Sequence, residues 1–109
     1  IMLTAGCGKN QFHHKVGGAL CTLRRSGGME TYQQLLGLMD AMEMVLVTSD
    51  YWGAIHGADP GEVLSDTEGM EVAARLGRNM AWMVRVLGSS KDTLPPPESF
   101  PRTMTNFIR

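Results

Sequence analysis

Hydrophobic positions along this chain switch between a continuous pattern and a helical one. From Lys15 to Leu23 the run KVGGALCTL is apolar almost throughout and bounded by turn residues, which predicts a buried strand. Gly17 and Gly18 interrupt it. Glycine weakens a strand, and it also lets a neighbouring backbone or helix approach closely. The next segment, METYQQLLGLMDAME, sets Tyr32, Leu35, Leu36, Met39 and Met42 three or four residues apart, one apolar face of a helix. MVLVTS, residues 44–49, returns to the continuous pattern, with β-branched Val45 and Val47, and predicts a second buried strand.

Residues 50–66, DYWGAIHGADPGEVLSD, are punctuated by Gly53, Gly57, Pro60 and Gly61 and predict a long loop. A second helix follows, with Ala73, Leu76, Met80, Met83 and Leu87 at alternating spacings of three and four. Ser65 and Glu68 have the spacing of a capping box at its start, and Gly88 offers a stop. The remaining residues, with Pro95-Pro96-Pro97 and Pro101, predict an extended tail lying along a neighbouring surface.

The order is therefore β-α-β-α followed by a Pro-rich tail. Two buried strands joined by a helix imply a parallel βαβ unit with a right-handed crossover. Parallel strands need cover on both faces and more than one neighbour. The expected fold class is α/β: part of a doubly wound parallel sheet over residues 1–88, its N-terminal strands missing, with residues 89–109 as the tail.

A chain of 109 residues has room for one domain. Its net charge of −1 supplies no general attraction for nucleic acid or an anionic membrane. No apolar run approaches the roughly 18 residues that span a bilayer, and the N-terminus lacks a secretory pattern. The chain opens on Ile1 instead of methionine, as expected of a processed product or one part of a longer chain. Cys7 and Cys21 match neither a CxxC pair nor zinc or iron–sulfur spacing. Cys21, within the strand, reads as a small buried hydrophobe, and Cys7, between Gly6 and Gly8, as exposed. Two thiols without a scaffold pattern fit a reducing, cytoplasmic setting, with a disulfide between them as the alternative. Met39, Met42, Met70, Met80 and Met83 fall at core spacing and read as deformable filler.

The candidate chemistry lies where the first strand feeds the first helix. Arg24-Arg25-Ser26-Gly27-Gly28 leaves the carboxyl end of a strand, the place where doubly wound sheets bind ligands. A helix N-terminus offers free N–H groups and partial positive charge. Paired glycines open the main chain to a flat ligand, and two arginines add charge and donors. A ring that becomes negative on reduction suits this setting, and so does a phosphate. A tight turn whose arginines pair with nearby acids is the structural alternative.

Other features read as ordinary surface. His13-His14 has no cysteine or acid at ligand spacing. His56, in the Gly-rich loop, reads as a residue that caps the turn, with reach toward a flavin or substrate as the alternative. The acids Asp50, Asp59, Glu62, Asp66 and Glu68 read as a solvated loop with helix capping. Trp82 reads as core or interface. Arg75, Arg78 and Arg85 share the solvent side of the second helix, within reach of Glu71 or Glu68.

Three pieces in this order, R-R-x-G-G-x-E-T, G-x-x-x-H-G-x-x-P-G-E-V and E-G-M-E…L-G-R-N-M-A-W, span roughly residues 15–87. Together they resemble the C-terminal half of the NADPH-dependent FMN reductase family, which includes the iron–sulfur flavoproteins and has a flavodoxin-like fold. The resemblance implies that Arg24, Arg25, Ser26, Gly27 and Gly28 line an FMN ring, with Tyr51 and Trp52 walling the site or a subunit interface. It implies FMN as cofactor and NAD(P)H as hydride donor. It also implies a small-molecule or protein electron acceptor, with no general acid or base needed from this segment. The family's N-terminal phosphate-cradling loop and the cysteine cluster of its iron–sulfur members have no counterpart here. A flavodoxin-like order would make these the last two strands, their inner side completed by a homo-oligomer partner or by the missing N-terminal portion. The alternative is a non-catalytic half-domain that acts as an interaction or assembly module.

Overall fold

The computed structural model describes residues 11–98, 100–101, 103 and 105–107. The expectation for Cys7 lies outside them. The elements are β1 (Val16–Gly17), β2 (Cys21–Leu23), α1 (Gly28–Asp40), β3 (Val45–Leu46), β4 (Ala54–His56), a 3-10 turn (Glu62–Ser65) and α2 (Thr67–Ser90). Every pairing is parallel: β1 with β3, Val16 opposite Val45, and β2 with β4, Cys21 opposite Ala54. The chain is thus α/β, with short parallel strands joined through a helix.

The strands differ from the expected ones in length and number. The run 15–23 is strand only at its two ends, and the second predicted strand keeps only Val45–Leu46. The supposed loop 50–66 contains β4 and the 3-10 turn. The register explains the break. Its offset grows from 29 residues (16 to 45) to 33 (21 to 54), so the second strand line carries four residues that the first does not match. The mismatch falls around residues 48–53, which leave the ladder before Ala54 rejoins it.

Gly17 and Gly18 place the helices. A Cβ on Gly17 would meet Met39 of α1, whereas one on Gly18 would meet Leu76 and Met80 of α2. Neighbouring strand residues face opposite sides, so α1 and α2 cover opposite faces of the sheet. Gly53 lies where the two strand lines touch, and a Cβ there would run into the Ala19 carbonyl oxygen.

Burial concentrates on this sandwich: Ala19, Val47 and Ile55 from the strand lines, Tyr32 and Met42 from the α1 side, Val72 and Leu76 from α2. No described side chain is fully buried. Met70 and Leu87 have core spacing yet are exposed. Helix α2 is about 36 Å long at 1.5 Å per residue, far longer than the short strands beneath it, so Leu87 extends past the sheet.

The helix ends also shift. α1 begins at Gly28 and ends at Asp40. The N-cap of α2 is Asp66, whose side chain accepts from the Gly69 N–H, instead of the expected Ser65–Glu68 box. Ser65 is occupied in the 3-10 turn. Helix α2 passes through Gly88 and stops at Ser90. Beyond Leu94 the described residues have no regular secondary structure. Leu94, Phe100 and Phe107 stay exposed, so they do not make the expected packing contact within this chain.

Candidate functional site

A cleft of about 410 Å³ lies at the carboxyl ends of β2 and β4, between the first turns of α1 and α2. That size lies within the roughly 300–1,000 Å³ usual for small-molecule sites. One wall is Arg25, Ser26, Gly27 and Gly28. Tyr51 and Trp52 form another, and His56, Asp66 and Glu68 a third. Four of the five loop residues singled out in sequence therefore share a cleft with both aromatics. Arg24 is the exception. It lines a second cleft of about 420 Å³ with Thr22 and Thr31, which shares Arg25, Ser26, Gly27 and Gly28 with the first.

The loop's backbone explains its openness. Gly27 is the N-cap of α1 with φ 84°, in the left-handed region that favours glycine. No side chain caps this end, so the first N–H groups of α1 have no side-chain acceptor. A Cβ on Gly27 would meet nothing within 4 Å, so space above the main chain is open to a ligand. Behind it, the Cys21 thiol donates to the Gly28 carbonyl at 3.3 Å. Cys21 is only half-buried and ties the strand to the loop, in place of the purely apolar role expected. Neither Arg24 nor Arg25 forms an ion pair among the described residues, which disfavours the tight turn held by arginine–acid pairs.

Tyr51 and Trp52 come from the four mismatched residues. Their rings stand 4.9 Å apart and both are more than half exposed. Asp50 beside them pairs with Arg75 Nε at 3.1 Å, so Arg75 bonds across the fold instead of to Glu71 or Glu68. The Ser49 hydroxyl donates to the Val72 carbonyl at 2.9 Å, and Asn79 Nδ2 donates to the Thr48 carbonyl at 2.8 Å. These three bonds fix the N-terminal end of the aromatic segment to α2, while Ala54 on its other side returns to the ladder.

His56 ends β4 instead of lying in the turn expected from the sequence. Its main-chain N–H donates to Asp66 Oδ2 at 2.7 Å, and its Nδ1 lies 3.4 Å from the same oxygen. The His56 N–H, and next the Gly69 N–H, hold the Asp66 carboxyl below the ordinary aspartate range. Glu62 is lowered in the same way, by the N–H groups of Asp59 and then Ala58. The two helix N-termini thus differ electrically. That of α2 is filled by its own Asp66 with Glu68 beside it, whereas that of α1 has a glycine cap, with Arg25 nearby and Glu30 in its first turn. The cleft is positive toward Arg25 and negative toward Glu30, Asp66 and Glu68.

Among the described residues no three His, Cys, Asp or Glu side chains group to hold a metal ion. His13 and His14 both pair with Glu43, at 3.2 and 3.4 Å. No described helix is long and apolar enough to cross a membrane.

The chain matches no protein-family model and no solved structure. It is 34% identical over 84 residues to an iron–sulfur flavoprotein of Methanocaldococcus jannaschii. The similarity covers 71% of this chain and 44% of that relative, so the chain spans less than half the relative's length.

Proposed function

We propose that this chain supplies one side of the flavin site of an FMN-dependent NAD(P)H oxidoreductase of flavodoxin-like fold. The observation that carries the proposal is the shared cleft. Residues 25–28 and Tyr51–Trp52 are far apart in sequence, yet they wall one opening at the carboxyl ends of parallel strands. The resemblance to a flavoprotein relative points the same way.

The residues suit a flat, electron-rich ring. Gly27 admits it to the main chain, and the uncapped N–H groups of α1 and Arg25 favour negative charge on its edge. Trp52 and Tyr51 offer apolar cover. FMN, when bound, supplies hydride acceptance and donation. The chain's own residues position the ring and set the charge around it. Electrons then pass to a small-molecule or protein acceptor. Arg24, which lines only the adjoining cleft, belongs to the site if a ligand group extends past Ser26.

The test is FMN titration of the Trp82→Phe variant, which leaves Trp52 as the fluorescent reporter. Saturable quenching, abolished by Gly27→Asp, is the expected result. Gly27→Asp adds a carboxylate where nothing stands within 4 Å, but φ 84° strains any side chain there, aspartate less than most, so a thermal melt of the variant accompanies the titration. Quenching that is absent, or equal in the variant, refutes flavin binding at this loop. One observation favours a second reading, a non-catalytic assembly module: large apolar side chains such as Trp82, Val84 and Val86 remain exposed while none is fully buried.

A further inference from the structure

The end of β4 carries an imidazole that the fold does not need. The bond from this position to Asp66 comes from the His56 main-chain N–H, at 2.7 Å. Any residue but proline would make it. The ring stands apart from that bond. Its Nδ1 lies 3.4 Å from the same Asp66 oxygen, and its Nε2 has no partner among the described residues. The ring is 59% exposed and borders the cleft, whereas Asp66 is 20% exposed. The backbone that carries it is well held. His56 lies opposite Leu23, the Gly57 N–H donates to the Leu23 carbonyl, and a Cβ on Gly57 would meet Val63. Next, Ala58 and Asp59 both donate to Glu62, at 2.6 and 3.0 Å. A functional side chain is most precise on such a fixed mount. The other two histidines, His13 and His14, share Glu43 and do not line this cleft. The charged and titratable groups that share the cleft with His56 are Asp66 and Glu68 from α2, Arg25 and Glu30 from the α1 side, and Tyr51. The N–H groups of His56 and then Gly69 keep Asp66 below the ordinary aspartate range, so it is anionic at neutral pH. A carboxylate at Nδ1 orients the ring, keeps the proton of the neutral form on that nitrogen, and stabilises the imidazolium.

We propose that His56 is the proton donor and acceptor of this cleft, acting through Nε2 with Asp66 as its positioning residue, and that the electron acceptor reduced here is of the quinone class. A ferric complex or a one-electron protein centre takes up no proton and would leave the imidazole without a role. A quinone takes up two electrons and two hydrogens. Hydride arriving at one quinone oxygen forms an O–H bond there and leaves the opposite oxygen a phenolate. The Nε2–H bond then breaks, its proton passes to the phenolate oxygen, and the product is a hydroquinone. The hydride originates on the nicotinamide donor, which is oxidised by two electrons. The imidazole is left neutral and regains its proton from water, which its exposure permits. A flat quinone also suits the lip of Tyr51 and Trp52, whose rings stand 4.9 Å apart and are more than half exposed. The inference rests on the flavin-dependent reading for the hydride. The family resemblance calls for no acid or base from this segment, so the role of His56 is additional to it.

Two measurements on the full chain test this. The first needs no flavin. Long-range proton–nitrogen NMR at mildly alkaline pH should find the proton of neutral His56 on Nδ1. Duroquinone, whose ring carbons are all substituted against attack by thiols, should shift the Nε2 resonance. Asp66→Asn should move the proton toward Nε2 while keeping an acceptor for the helix cap. The second measurement compares two acceptors for the chain loaded with FMN and supplied with NADPH. One is duroquinone, the other ferricyanide, which takes electrons without protons. His56→Gln keeps the main-chain bond to Asp66. It should lower the duroquinone rate roughly 100-fold and leave the ferricyanide rate within about twofold. Asp66→Asn should lower kcat for duroquinone by less, with KM unchanged. A wild-type proton on Nε2, no duroquinone shift, an unchanged duroquinone rate in His56→Gln, or equal losses with both acceptors overturns the inference. The expected proton position and duroquinone shift with no turnover of either acceptor would support His56 as the proton group of the cleft and refute the proposed function alone.

Discussion

Asp66 takes the main-chain N–H of His56 at 2.7 Å and stands 3.4 Å from its Nδ1, while its other oxygen accepts from Gly69. One carboxylate thus closes the outer edge of β4 and caps α2. Asp66→Ala removes both bonds, whereas Asp66→Asn keeps an acceptor for the cap. The urea midpoint should fall for both variants and further for Ala. Equal midpoints for wild type and Asp66→Ala would show that the pairing contributes nothing to stability.

The direction of the shifts at Asp66 and Glu62 fixes an acid limb. Both folded-state carboxyls titrate below their ordinary values. Their stabilisation is therefore complete above the unfolded-state values, about 4, and is lost as pH falls through the lower folded-state values. Stability should hold level from pH 7 to about 5 with respect to these groups and decline below about 4. Urea titrations at a series of pH values should find that decline shallower in Asp66→Asn and Glu62→Gln.

The glycines inside α2 and the buried Gly53 should respond to alanine in opposite ways. Gly77 and Gly88 lie inside α2, and a Cβ on either meets nothing within 4 Å. Gly77→Ala and Gly88→Ala should each stabilise the protein by about 0.5–1 kcal/mol. Gly53 is buried against the Ala19 carbonyl, so Gly53→Ala forces the two strand lines apart and should cost about 1–3 kcal/mol. Thermal melts of the three variants test both signs at once.

The hydrophobic pattern carries the α/β order, the parallel crossover and the loop from Arg24 to Gly28, because those follow from residues close in sequence. Strand β4 does not show in the pattern. Ala54, Ile55 and His56 are three residues between two glycines, and what makes them a strand is Cys21–Leu23, more than thirty residues earlier. Asp66 was legible as an acid but not as the cap, since Ser65 and Glu68 offered an equally regular signal one position away. The joint cleft of Gly27 and Trp52 depends on the register slip between the strand lines, which no local periodicity encodes. His56 could have been found through its histidine-glycine step followed ten residues later by an aspartate, but only with the strand already known.

That slip of four residues has an evolutionary consequence. The segment bearing Tyr51 and Trp52 is anchored at Ser49, Asp50 and Ala54 and belongs to neither ladder. Insertions or deletions there leave both pairings in register, so lineages can lengthen, shorten or restock this lip with different side chains while the scaffold stays constant. Ligand preference can diversify at this lip at little risk to folding, whereas the glycines beneath it have no such latitude.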